Sequence, residues 1–207
     1  MNQLELFSPF ESNEAQNFEL PDGNLIFYPA AFTTVEADRF LKNLKQETFW
    51  QQDNIKMYGK EIPLPRLTAW YGDSGRNYTY SGIAMNPHPW NSTLREVKQR
   101  VEQLSQVSFN SVLLNLYRTG SDSVNWHSDD EPELTPGQTI ASVSFGGTRR
   151  FVMKHKTKTE VDKFELKLTH GSVLLMRGET QQHWIHQVPK TKKKVNSRIN
   201  LTFRVIR

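Results

Sequence analysis

The sequence predicts an α+β domain in which β structure dominates, arranged as a sandwich or jelly roll. Three observations carry this. From about residue 109 onward, short apolar-rich runs follow one another, each cut off by Gly, Pro or Asn/Asp. Ahead of them lie two amphipathic stretches at helical spacing. A chain of 207 residues is also the size of one ordinary domain, long enough to bury a substantial core.

In chain order, residues 1 to about 20 are polar with scattered Leu and Phe and no clear period, and are expected to form a mobile extension; residues 21–207 then make one domain. The run TTVEADRFLKNLKQE at 33–47 reads as a helix capped by Thr33 or Thr34, with Ala37, Phe40, Leu41 and Leu44 as its buried stripe. A second helix is predicted from about 92 to 106, where Leu94, Val97, Val101 and Leu104 keep helical spacing. The strand signals are FNSVLLNLYR, TIASVSFG, RRFVMKH, KFELKL, GSVLLM, HWIHQV and RINLTFRVI. Trp70, Trp126 and Trp184 are expected to be plain core residues.

Composition narrows the function classes. With no cysteine, neither a disulfide framework nor a zinc knuckle can form, which fits a reducing compartment. There is no apolar run of transmembrane length and no charged-then-apolar leader, so the chain is expected to be neither membrane-bound nor secreted. A bacterial cytoplasm or a eukaryotic nucleus is the expected setting, and a monomer the expected state. The net charge of +4 and pI near 9.2 permit a polyanionic partner without establishing one. No internal repeat is present, and the one biased stretch is the lysine cluster at 190–194.

The chemistry is written in HSDDE at 127–131. On an extended strand His127 and Asp129, two apart, project to one side and can grip a single metal ion. An HxD pair alone is weak evidence, but HWIH at 183–186 offers a distant imidazole, from His183 or His186, to complete a 2-His-1-carboxylate face. Residues three apart on a strand face opposite ways, so only one of the two can serve. Such a face leaves coordination positions open, as non-heme Fe(II) oxygenases require.

In RINLTFR, Arg198, Asn200, Thr202 and Arg204 share one face, while Ile199, Leu201 and Phe203 share the other. Two arginines on one strand face suit a dianion, because guanidinium groups grip carboxylates through bidentate, charge-assisted hydrogen bonds. A solvent-exposed face with ion-paired arginines is the bland alternative.

The blocks PRLTAWYGDSG, NYTYSG, NLYRTGSDSVNWHSDDE, IASVSFGGTRRFVMKHK, HGSVLLM, HWIHQVPK and RINLTFR, taken in this order, resemble the AlkB family of iron and 2-oxoglutarate dioxygenases, particularly the members that repair alkylated DNA. They cover most of the chain beyond the first twenty or so residues. The resemblance implies a double-stranded β-helix with N-terminal helices on one sheet and a nucleotide-recognition lid at about 50–82. It implies Fe(II) held by His127, Asp129 and His186, with O2 and 2-oxoglutarate as cosubstrates. His186 is thereby selected over His183, and His88, His155 and His170 become ordinary surface or turn histidines. Around 2-oxoglutarate it implies Asn115, Tyr117, His127, His186, Arg198, Asn200, Thr202 and Arg204, with the two arginines on its carboxylate ends.

The implied activity is oxidative demethylation of bases such as 1-methyladenine and 3-methylcytosine in DNA, single- or double-stranded, with RNA open as a substrate. The same chemistry on a protein or small molecule is the alternative. A methyl on the Watson–Crick edge is hidden in a duplex, so the base must leave the stack. Met57 and Tyr58 stand where duplex-repairing relatives place an apolar wedge, next to Gly59 and Lys60. Tyr78, Thr79 and Tyr80 resemble the pocket wall, Tyr80 stacking on a cationic base. Asp130 and Glu131 lie beside the metal and favour that cation. Arg66, Arg149, Arg150, Lys154 to Lys158 and Lys190 to Lys194 are expected to touch phosphates. The segment KTKTEVDKFELKL is shorter than the basic loop of relatives that clamp both strands, which leaves strand preference open.

Overall fold

The computed structural model describes residues 14–57, 60–74, 78–80, 83–85 and 87–207, with backbone alone for residues 56, 57, 60, 78–80 and 83–85. In chain order the elements are β1 (Gln16–Leu20), β2 (Gly23–Tyr28), α1 (Thr34–Glu47), β3 (Asn54–Met57), β4 (Lys60–Pro63), β5 (Leu67–Gly72), β6 (Tyr78–Tyr80), β7 (Ile83–Met85), α2 (Ser92–Ser105), β8 (Ser111–Tyr117), β9 (Val124–His127), β10 (Ile140–Gly146), β11 (Arg149–His155), β12 (Phe164–Leu168), β13 (Ser172–Arg177), α3 (Thr180–His183), β14 (Trp184–Val188) and β15 (Arg198–Arg204). A seven-stranded sheet runs β1-β2-β13-β10-β15-β8-β5 and a four-stranded sheet runs β12-β11-β14-β9. Every pairing within them is antiparallel. This is the expected mainly-β jelly roll, with two small hairpins, β3-β4 and β6-β7, apart from the two main sheets.

Two apolar clusters match the two jobs of the large sheet. One joins α1 and α2 to its outer face through Phe40, Leu44, Leu94, Val97, Leu114, Leu201 and Phe203. The other fills the space between the sheets through Leu113, Phe151, Met153, Leu174 and Met176. Successive strand residues feed the two clusters alternately: Leu113 faces the gap between the sheets and Leu114 faces the helices. Both faces of the central strands are therefore covered, and β15 is buried at all seven positions.

The helices begin where local chemistry allows. Thr33 caps α1 by accepting from the Glu36 N–H (3.3 Å), and the Glu36 carboxylate returns the contact by accepting from the Thr33 N–H (2.8 Å). The Thr33 N–H and the Thr33 hydroxyl, both donating to this carboxylate, hold the Glu36 carboxyl below its ordinary value, helped by the nearby Arg100 and Arg39 guanidiniums. Asn91 caps α2 by accepting from the Leu94 N–H at 2.8 Å.

Several expectations need correction. Residues 16–20 are not part of a mobile extension: they form β1, hydrogen-bonded to β2 and closing the sheet edge. The overlooked signal is Pro21-Asp22, a two-residue turn in which Pro21 presets its own φ and Asp22 takes a left-handed φ of 56°. Phe18 then packs its ring 5.0 Å from Phe164 of the small sheet. Trp126 is only half-buried, with the Lys154 ammonium 4.7 Å over its ring, whereas Trp70 and Trp184 are core residues as expected. His155 is buried rather than on the surface.

Removing the capping hydroxyl with Thr33→Ala should lower the unfolding free energy by about 1 kcal/mol. Urea denaturation with unchanged m-value is the check, and an unaltered midpoint would show that α1 does not depend on this cap.

Candidate active site

Strand pairing brings two imidazoles together. His127, the last residue of β9, lies directly opposite His186 of β14, with ring centroids 4.3 Å apart. On the other side of β14, Met153 of β11 pairs with His186, and the Phe151 ring lies 5.2 Å from it. The His127 Nδ1 sits 2.8 Å from the Asn125 carbonyl, which fixes the proton there and leaves Nε2 with a free lone pair. Burial, reinforced by His127 nearby, pushes the His186 pKa down to about 3, so this ring is neutral near pH 7 and able to ligate.

Asp129 reaches the same cleft by another route. It lies two residues past the end of β9, in a bend without ladder partners, so strand alternation does not place it. Its backbone N–H donates to the Gln181 side-chain oxygen at 2.9 Å, and its Oδ1 accepts from the Arg204 guanidinium. Burial opposes charge on this carboxyl, but Arg204, then His186 and His127, outweigh it and hold the pKa below the usual carboxylate value.

The Asp129 Oδ2 stands 3.9 Å from the His186 Nε2. That is too long for a hydrogen bond. Donors about 2.1 Å from a shared ion lie about 3.0 Å apart at right angles and about 4.2 Å apart when opposite. The Asp129–His186 spacing falls between those limits, and with the His127 ring beside them on one cleft wall these are the donor types that suit a divalent iron.

The opposite wall comes from the large sheet. Arg198 pairs across to Tyr117 and Asn200 to Asn115 on β8, while Asn200 and Thr202 face Ser144 and Ser142 on β10. Asn200 donates to Ser142 (2.9 Å) and Thr202 donates to Asn200 (3.2 Å), which fixes both side chains. Arg198 is 1% exposed, and its Nη2 donates to the Ser144 hydroxyl at 2.8 Å. Its Nε and Nη1 are buried without a partner, and its guanidinium lies 5.2 Å over the Tyr117 ring. Burial pushes its pKa down to about 10. A buried cation with donors to spare and no carboxylate beside it fits a carboxylate ligand such as 2-oxoglutarate. The solvent-exposed alternative for these arginines is excluded by their burial.

The remaining expected residues divide. Tyr58 and Gly59 lie outside the described residues; Lys60 opens β4 and Tyr78, Thr79 and Tyr80 form β6. Asp130 is tied by a 2.9 Å ion pair to Lys156, and Lys158 is tied to Asp22 at 2.5 Å, so these lysines are engaged within the protein. Glu131 keeps a buried Oε2 with no partner.

Two arginines assigned to phosphate contact belong elsewhere. Arg66 is buried in the cleft, donating to Asn115 Oδ1 at 2.7 Å and to the Ser123 carbonyl at 3.3 Å. Arg149 is buried beneath Tyr117, donating to the Asp122 and Pro189 carbonyls at 2.8 Å each. Neither can reach a nucleic-acid backbone without leaving these partners. Ser142 and Ser144 went unassigned although their two-residue spacing in IASVSFG signals a polar face; Gln181 left no signal at all.

A second cluster, Asp22, His155 and His183, has ligand atoms within 4.8 Å of one another, but its hydrogen bonds do not suit a metal. The His155 Nδ1 accepts from the Lys158 N–H at 2.9 Å, so the proton sits on Nε2, 3.1 Å from the Asp22 carboxylate. The Lys158 ammonium occupies the same carboxylate oxygen. These contacts pin the β1-β2 turn to β11.

The comparisons with known proteins agree with this geometry. Residues 24–204 match the family described as the 2OG-Fe(II) oxygenase superfamily. The human protein named alpha-ketoglutarate-dependent dioxygenase alkB homolog 3 is 44% identical over 187 residues, covering 86% of this chain, which spans 65% of that relative's length. The mouse protein named DNA oxidative demethylase ALKBH2 is 40% identical over 188 residues, covering 86% of this chain and 79% of that relative. The solved structure of OsALKBH1 shares the fold, with a TM-score of 0.63 at 17% identity over 92% of this chain and all of that one. The chain thus belongs to the 2OG-Fe(II) oxygenase superfamily and, within it, to the AlkB family.

Proposed function

We infer that this chain is an Fe(II)- and 2-oxoglutarate-dependent oxidative demethylase of N-alkylated bases in DNA, such as 1-methyladenine and 3-methylcytosine. The observation that carries this reading is Arg198, a buried guanidinium without an anion, sharing one cleft with His127, Asp129 and His186. The name of the mouse relative, DNA oxidative demethylase, supports the choice of substrate.

In this reading His127 Nε2, Asp129 Oδ2 and His186 Nε2 hold the iron. Bound there, Fe(II) would supply the activation of dioxygen, one oxygen atom going to 2-oxoglutarate as it becomes succinate and CO2 and the other to the N-methyl carbon, which leaves as formaldehyde. Arg204, already at Asp129, takes the carboxylate at the metal end of the cosubstrate, and Arg198 takes the distal one. Tyr117 and Asn115 flank the cosubstrate from β8, with Asn115 held in place by Arg66. Leu113, Phe151, Met176 and Val188 line the same cleft and keep water from it.

Glu131, with its unpartnered carboxylate oxygen, meets the cationic base or its exocyclic amine. Asp130 is spent on Lys156 and contributes less. Backbone footing falls to a cleft of about 260 Å³ lined by Arg150, Lys167, Lys190 and Lys193, beyond the buried Arg149.

Replacing Arg198 by methionine separates stability from binding. Ligand-free Arg198→Met should be as stable as the parent or more stable by about 1–3 kcal/mol, since it removes an unmatched buried charge. It should also lose the stabilisation of about 2.7 kcal/mol that the parent gains from 2-oxoglutarate at a hundred times its Kd in the presence of Mn(II). Thermal denaturation with and without cosubstrate reads both.

Purified protein given iron, ascorbate, 2-oxoglutarate and methylated oligonucleotides should remove the methyl group, seen by mass spectrometry as loss of one CH2. DNA and RNA, single- and double-stranded, form the four arms. Consumption of 2-oxoglutarate with every oligonucleotide unchanged would retain the oxygenase and discard the nucleic-acid substrate. Tyr58→Ala should impair duplex repair far more than single-strand repair; equal losses would count against a wedge at this position.

A further inference from the structure

We propose that Gln181 is the positioning residue that sets where the Asp129 carboxylate stands, a role that rests on Asp129 being a metal ligand. Asp129 lies beyond the end of β9, so no ladder fixes its backbone. The 2.9 Å bond from its N–H to the Gln181 Oε1 is buried and joins segments 52 residues apart. The other end of the same amide donates to the Met176 sulfur on β13 at 3.2 Å, which fixes its orientation with the oxygen towards Asp129.

Gln181 itself stands on a fixed peg. Its neighbour Thr180 accepts from the Asn24 N–H of β2 at 3.0 Å and donates to the Arg177 carbonyl at 2.5 Å. The Lys156 ammonium then clasps both sides, donating to the Gln181 carbonyl at 3.0 Å and to the Asp130 carboxylate at 2.9 Å. Five residues after Gln181, on the strand that α3 leads into, comes His186. Gln181 therefore ties the loop that carries one ligand to the segment that carries another and sets the spacing between them. An apolar side chain here leaves the Asp129 N–H buried and unpaired, and the loop must move to satisfy it.

The test is Mn(II) binding to the full chain by calorimetry, alongside the thermal midpoint of the metal-free protein. Gln181→Met fills the same space without the acceptor, and Gln181→Asn keeps the amide but draws it back by one methylene. Each should weaken Mn(II) by about tenfold or more, the scale on which partners of ligands act. Gln181→Glu retains an acceptor oxygen and should bind within about threefold of the parent. Gln182→Glu, which adds the same charge on the exposed side of the turn, should leave affinity unchanged and shows that any rescue is not one of charge. Should Gln181→Met fail to fold, Gln181→Asn carries the comparison.

Parent-like Mn(II) affinity in Gln181→Met or Gln181→Asn, with only the thermal midpoint lowered, would make Gln181 a packing residue and overturn the proposal. An affinity loss in Gln181→Glu as large as in Gln181→Met would overturn it too. Absence of Mn(II) binding by the parent, or binding undiminished in Asp129→Ala, would instead remove the metal site on which the proposal stands.

Discussion

A guanidinium taken out of water must meet an anion or be answered by many acceptors, and this constraint organises the space between the two sheets. Four arginines lie buried there: Arg66, Arg149, Arg198 and Arg204. Arg204 is answered by Asp129, Arg66 by Asn115 and the Ser123 carbonyl, and Arg149 by carbonyls. Asp122, the other buried carboxylate nearby, is occupied by Arg118. Arg198 is left with a serine hydroxyl and the face of Tyr117. The cleft is thus built with an excess of positive charge in a buried place, at a cost in stability that an incoming carboxylate would relieve.

Such a cost is tolerable because β15 is held from every other direction. Its Ile199, Leu201 and Phe203 are locked under α1 and α2, and its two neighbours bond it along its length. The small sheet does the complementary work, setting His127 against His186 at one end of a β9-β14 pairing whose register shifts between that pair and Val188 opposite Val124. The two histidines of the proposed metal site and the residues proposed for the cosubstrate therefore sit on different sheets that share one apolar filling. Any displacement of one sheet across the other would separate the two halves of the site.

Much of this was legible in the chain. Period-two alternation in RINLTFR placed Arg198 and Arg204 on one face, and helical spacing located α1 and α2 nearly to the residue. Pattern could not reveal where a polar face points. A charged strand face towards solvent and one towards a sealed cleft read alike, so Arg149 passed for a surface residue, while Arg66, in the bend before β5, has no face for a pattern to show. Nor does alternation explain Asp129: it shares the cleft with His127 through a glutamine fifty-two residues away, a contact without sequence signature. β1 escaped because an edge strand buries little and so carries little apolar pattern.

The three side chains of the proposed metal site are unequally sheltered. Asp129 and His186 are almost wholly enclosed, while His127, at the open end of β9, remains half-exposed. That asymmetry gives the centre a front and a back. If iron sits there, a molecule to be oxidised arrives past the His127 ring, since Asp129 and His186 have protein behind them. Selectivity for the guest is then set at that doorway rather than in the walls, which the two sheets hold fixed.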